Sequence, residues 1–209
     1  MKKIFALAVA AVLSVSAAWA QDYTRLQASY VSYRLTNSTY GDKDIEPKGV
    51  NLGAVLGFSV TDDMPIFFET GANLTWAHSA MDVNFLGSDV EVKSTYMNFA
   101  VPVNGVYKYE INDKVAVSGF AGLNLKVNFM GVRRVGDEKK NWLSKDDMGG
   151  RDNRAKIFQL GCQFGAGVHL GQIYLGYEFQ PDLMNFMKIN GDDSHKWLAN
   201  YITVGFDIE

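Results

Sequence analysis

The sequence predicts an all-β fold, an eight-stranded antiparallel up-and-down transmembrane β-barrel. Three observations predict it. Residues 1–20 have the layout of an export leader. The remainder shows period-two alternation of apolar and polar residues over segments long enough for a tilted bilayer crossing. The links between those segments alternate between long and short.

The leader comes first. Lys2 and Lys3 precede an apolar stretch from Ile4 to Val15, and Ala18-Trp19-Ala20 places small residues where a signal peptidase reads. The expectation is a cleaved signal over 1–20 and one barrel domain over 21–209. Gln21 rather than cysteine argues against lipoprotein processing. The chain is mildly acidic, with 20 basic and 23 acidic residues, and has no basic stripe for nucleic acid. Cys162 is the single cysteine, which rules out an internal disulfide framework. After residue 20 no apolar run is long enough for a transmembrane helix.

The strands follow in order. The first, about Tyr23 to Leu35, has Arg25, Gln27 and Ser29 on its polar face. Val50, Leu52, Ala54, Leu56 and Phe58 then alternate with Asn51, Gly53, Val55 and Gly57. Ile66 to Trp76 and Val115 to Val127 repeat the pattern. In Ile157–Leu170 one face reads Phe158, Leu160, Cys162, Phe164, Ala166, Val168, Leu170, opposite Gln159, Gly161, Gln163, Gly165, Gly167, His169. Leu198 to Ile208 forms the last strand. The long links are Asn37–Pro47, His78–Glu91, Met130–Ala155 and Asp182–Lys196. The short ones are Thr61–Met64, Glu110–Asp113 and Gly171–Gln172. Short turns on one side and long loops on the other put both termini at the periplasmic side.

Glycine concentrates on the polar faces, as a narrow interior requires. That favours a polar inside and a lipid-facing outside over a soluble lipocalin-like ligand-binding barrel, the competing arrangement. Arg25, Glu69, Lys108, Lys126, Glu178 and Asp207 then fall on inward faces and are expected to form an ion-pair network that blocks an open pore. Tyr30, Tyr33, Trp76, Tyr96, Tyr107, Tyr109, Tyr177 and Trp197 are expected in the interfacial girdles.

The stretch Tyr96-Met97-Asn98-Phe99-Ala100-Val101-Pro102-Val103-Asn104-Gly105-Val106-Tyr107-Lys108-Tyr109 resembles the fourth-strand motif of the outer-membrane β-barrel family common in Bacteroidetes, labelled "porin family" or PorT-like, with OmpA/OmpX-like eight-stranded architecture. Val115–Leu125 and the glycine-rich Leu160–Gly167 are similar to other strands of that family. Val101 and Val103 flank the proline where Ile and Leu are common. The resemblance implies a fold and a location, and no transport substrate. Pro102 lacks a ladder donor, so a bulge or kink is expected there.

No catalytic constellation is apparent. In His78-Ser79 and Ser194-His195 adjacent side chains point to opposite strand faces, and the His-x-Ser pattern of barrel deacylases is absent. The expectation is therefore no enzyme. Asp62-Asp63, Asp146-Asp147 and Asp192-Asp193 form no calcium loop, so no metal or cofactor is expected, and Cys162 reads as an inert apolar side chain. Attention falls on Met130–Ala155, where Arg133, Arg134, Lys139, Lys140, Trp142, Arg151 and Arg154 are candidates for surface interaction. The candidate partners are lipopolysaccharide and a surface or host protein, with the barrel a monomer. Removing Trp142–Asp152 is expected to leave folding intact. The expected role is envelope integrity or surface interaction; a passive small-ion channel and a lipid-modifying enzyme compete with it.

Overall fold

The computed structural model describes residues 22–36, 46–61, 64–85, 88–144, 146–148, 154–189 and 193–208. The leader and Arg151 lie outside the described residues. The strands are β1 (Tyr23–Leu35), β2 (Lys48–Ser59), β3 (Ile66–Phe85), β4 (Ser88–Asn112), β5 (Val115–Val135), β6 (Glu138–Asn141), β7 (Phe158–Leu170), β8 (Ile173–Pro181), β9 (Met187–Ile189), β10 (Asp193–His195) and β11 (Trp197–Ile208).

Eight of them form a ring in the order β1-β2-β3-β4-β5-β7-β8-β11, and β1 pairs with β11 to close it. Every pairing is antiparallel. Closure leaves no free edge in the wall, which a bilayer demands because it offers no hydrogen bonds to the backbone. The seam is continuous from Thr24↔Ile208 to Leu35↔Trp197.

Side-chain parity fixes the medium outside. Leu52, Ile202 and Val204 point outward and are 59%, 62% and 54% exposed, whereas the inward Lys126, Gln163 and Asn124 are buried. Apolar outside and polar inside is the lipid-facing arrangement, the reverse of a lipocalin. Tyr30, Trp76, Tyr107, Tyr109 and Tyr177 lie on this outer face and are exposed. Tyr33, Tyr96 and Trp197 do not: their parity turns them inward, where each is only 1% exposed. They are interior residues, not girdle residues.

Two expected loops are strands. His78–Glu91 lies within the β3–β4 hairpin, where His78↔Thr95, Ala80↔Lys93 and Asp82↔Glu91 continue the ladder. Likewise β5 runs on to Val135 and returns as β6 through a turn at Gly136. Beyond the apolar belt a strand no longer needs an apolar outer face, so the alternation fades while the hydrogen-bonded ladder persists. The three strands β4, β5 and β6 form a ledge at this loop end of the barrel.

Pro102 interrupts the ladder without shifting it. The β3–β4 register skips from Thr70↔Val103 to Asn73↔Ala100 at constant offset. Thr70 Oγ1 donates to the Pro102 carbonyl at 2.9 Å. The register shifts of β4 occur elsewhere, at Met97/Asn98 and Glu110/Asn112 against β5.

Candidate functional site

The interior is filled at three levels. At the short-turn end, Arg25 and Asp207 are cross-strand partners on the seam, with Nε 2.8 Å from Oδ1. Arg25 Nη1 also lies 3.4 Å from Glu69 Oε1, and the Tyr23 hydroxyl donates to that same oxygen. The guanidinium sits 3.8 Å from the centroid of the Tyr174 ring and 5.4 Å from that of Tyr23. Tyr174 can lie there because Gly167 and Gly176 are bare: a Cβ on either would come within 2.3 Å of its side chain. Two carboxylates, one guanidinium and two aromatic rings thus close the floor, a pairing that buried charge requires.

The second oxygen of Asp207 serves a further chain. His169 Nδ1 is 2.8 Å from Asp207 Oδ2, and His169 Nε2 is 3.0 Å from Ser118 Oγ. Ser118, His169 and Asp207 thus have the connectivity of a nucleophile, base and orienting carboxylate. Sequence separation hid it, since the three come from β5, β7 and β11. All three residues are buried, and Tyr174 covers Gly167, the cross-strand neighbour of Ser118.

The middle level is a polar ladder. Lys126 Nζ lies 2.8 Å from Asp182 Oδ1, both side chains being almost wholly buried. Gln159 donates to Asp182 Oδ2 at 2.9 Å, Asn128 donates to Gln159 at 2.8 Å, and the Tyr96 hydroxyl donates to Asn128 at 2.5 Å. Below it Gln163 donates to Asn104, and Gln180 donates to Glu178 at 2.5 Å. A cavity of about 20 Å³ remains, lined by Arg25, Glu69, Asn104, Gln163 and Glu178 among others. That holds about one water molecule.

The third level, at the loop end, is an aromatic plug. Tyr33, Tyr96, Trp142, Phe186, Trp197 and Tyr201 form one buried cluster. Ring centroids lie 5.3 Å apart for Tyr33–Tyr96 and for Phe186–Trp197, and 6.0 Å apart for Trp142–Phe186. Such edge-on and tilted contacts suit aromatic quadrupoles. Trp142 reaches the plug because its backbone is tied on both sides: its N–H donates to Gly131 and its carbonyl accepts from Ala155, each at 2.7 Å.

The expected charge network therefore divides. Arg25, Glu69 and Asp207 meet at the floor, while Lys126 pairs higher up with Asp182, a residue assigned by sequence to a loop. Glu178 makes no ion pair among the described residues, and neither does Lys108, whose Nζ lies 5.7 Å from the Tyr23 ring. The loop candidates divide as well. Trp142 is buried at 5% exposure and offers no contact surface. Arg134, Lys139 and Lys140 are exposed on the ledge, and Arg133 and Arg154 are half-buried.

An antiparallel ring with an apolar outer belt, polar interior and hairpins extending past the belt defines a small transmembrane β-barrel. The chain belongs to the outer membrane protein beta-barrel domain family, whose profile matches residues 5–207, and is an outer-membrane protein. Among solved structures it is similar to Ail, the attachment invasion locus protein of Yersinia pestis, at 11% identity over 90% of this chain and 100% of that one, with a TM-score of 0.46. It is similar to Neisserial surface protein A at 16% identity over 88% and 96%, TM-score 0.46. It is also similar to the outer membrane enzyme PagL at 11% identity over 86% and 98%, TM-score 0.43. No curated protein matches the sequence.

Proposed function

We propose that this barrel is a non-enzymatic surface element of the outer membrane, acting in envelope integrity or surface interaction through its loop end. In this reading the short turns and both termini face the periplasm, and the β3–β4 and β5–β6 hairpins face outward. The resemblance at Tyr96–Tyr109 supports grouping it with the Bacteroidetes PorT-like barrels in architecture.

The carrying observation is the filled interior. A transporter needs a path, and here Arg25–Glu69–Asp207, Lys126–Asp182 and the aromatic plug stand in series across the lumen. What the protein offers instead is outer surface. Planar-bilayer recording of the folded, purified chain tests this: steady open-channel conductance would reverse it. Protease treatment of intact cells, with cleavage mapped to the Gly136–Asp137 turn, tests the orientation.

The Ser118–His169–Asp207 chain favours a hydrolase as the second reading. Against it stand the burial of all three residues and the Tyr174 ring packed beside them. An acyl intermediate needs room for a tetrahedral carbon and donors for its oxyanion.

A further inference from the structure

The ledge carries a row of cations on one face. Lys93 on β4 is the direct cross-strand partner of Arg134 on β5, and Arg134 is the partner of Lys139 on β6. Directly opposed residues project to the same side of a sheet, with Cβ atoms about 5 Å apart, and like charges so placed repel. Only Lys93 has a local counter-ion, Glu91 Oε2 at 2.7 Å. Among the described residues Arg134 and Lys139 have no carboxylate partner. Lysine is common on exposed edge strands, where it blocks unwanted pairing. That accounts for Lys139 on β6. It does not account for Arg134, which has paired strands on both sides.

Position shows what this face meets. The row belongs to the outward parity, the same one that presents Trp76 and Met130 to lipid. Trp76↔Met97↔Met130 lies four residues nearer the belt, with His78↔Thr95↔Val132 between them. Four residues span about 13 Å along a strand, or about 10 Å in height at the usual barrel tilt. The polar headgroup layer is about 5–8 Å thick on each side of a bilayer. The cations therefore stand sideways at the level of the headgroups and the first sugars, facing neighbouring lipids rather than the medium above. Lys48, opposite His78 on β2, adds an exposed cation one row lower.

We infer that the outward face of the β4–β5–β6 ledge, through Lys93, Arg134 and Lys139, docks the phosphate groups of outer-leaflet glycolipid. This rests on the outward orientation of the ledge proposed above. Phosphate oxygens take charge-assisted hydrogen bonds from both Lys and Arg, and one lipid headgroup spanning two strands would relieve the cross-strand repulsion. The contact anchors the barrel laterally in the leaflet.

The test titrates the full folded chain, in detergent micelles, with phosphorylated lipid A and with the same lipid enzymatically dephosphorylated, read by native mass spectrometry. Wild type should prefer the phosphorylated lipid, and the preference should shrink as salt rises. Arg134→Gln/Lys139→Gln should lose about thirtyfold in affinity for it, and Arg134→Lys/Lys139→Arg should retain it. Heat-modifiable migration on a gel confirms that each variant is folded. Equal binding of the two lipids by wild type, or unchanged binding by the glutamine variant, overturns the proposal. If that happens while the Gly136–Asp137 turn is cleaved on intact cells, the docking idea alone fails. If the turn is protected in intact cells and cleaved after lysis, the orientation beneath it fails too.

Discussion

Arg25 and Asp207 face each other across the β1–β11 seam, 182 residues apart in sequence and 2.8 Å apart in space. The pair joins the first strand to the last inside the barrel, where no water shell offsets a lone charge. Breaking such a buried pair by removing one partner costs about 3–5 kcal/mol. Arg25→Met, which leaves Glu69 and Asp207 without their cation, should lower unfolding stability in micelles by that amount. Urea titration followed by tryptophan fluorescence measures it. Arg25→Met/Asp207→Leu should recover part of the loss. A double variant no more stable than the single would show that packing around Tyr174, not charge pairing, dominates.

The neighbouring charges are expected to separate into members and bystanders. Glu69→Gln removes the anion that takes both Arg25 and the Tyr23 hydroxyl, and should cost about 1–3 kcal/mol. Lys108→Met should stay within about 0.5 kcal/mol, the usual range for a side chain outside any paired network. The same urea titration compares them, and equal losses would place Lys108 in the floor after all.

Lys126 and Asp182 offer a cleaner coupling measurement. The Asp182 carboxylate accepts from two donors, the Lys126 ammonium and the Gln159 amide, and its backbone N–H donates to the Trp197 carbonyl at 2.9 Å. Lys126→Met and Asp182→Asn should each destabilise, and the double variant should fall short of the sum. A double-mutant cycle should return a coupling energy of about 1–3 kcal/mol. Additive losses would mean that the two groups act through separate contacts.

Parity explains what was legible in the sequence. Arg25, Gln27 and Ser29 set the inward face of β1, and the same odd numbering places Val31, Tyr33 and Leu35 inside as well. Placing Tyr33 in an interfacial girdle weighs side-chain type over register, although a one-residue shift reverses a whole face. The wall, its strand number and the Arg25–Asp207 closure follow from local alternation plus ring closure. The Ser118–His169–Asp207 chain and the Lys126–Asp182 pair do not, because lateral register between distant strands has no local signature. The ledge is not legible for a different reason: above the belt both faces are polar, so the alternation that marks a lipid-facing strand disappears.

The buried Ser118–His169–Asp207 chain yields a chemical prediction. A nucleophilic serine with substrate access reacts with fluorophosphonate probes; one buried in a filled barrel interior does not. The folded wild type should remain unlabelled. Tyr174→Ala, which removes the ring over Gly167 and Gly176, should tell whether cover alone silences the serine. Labelling of wild type that Ser118→Ala abolishes would establish the hydrolase reading.

Trp142 changes the expected outcome of shortening the long loop. Its indole packs on Phe186 inside the aromatic plug, and its backbone ties Gly131 to Ala155. A deletion beginning at Trp142 removes a core residue, not a free loop. Truncating a buried aromatic costs about 3–5 kcal/mol, so Trp142→Ala should destabilise the loop end by that order while the floor network stays closed. Limited proteolysis should then cut sooner within 131–155, with the heat-modifiable barrel still intact on a gel. Conductance should remain absent, since Lys126–Asp182 and Arg25–Glu69–Asp207 still fill the lumen below. A conducting Trp142→Ala barrel would identify the plug as the sole barrier and turn the protein into a gated pore.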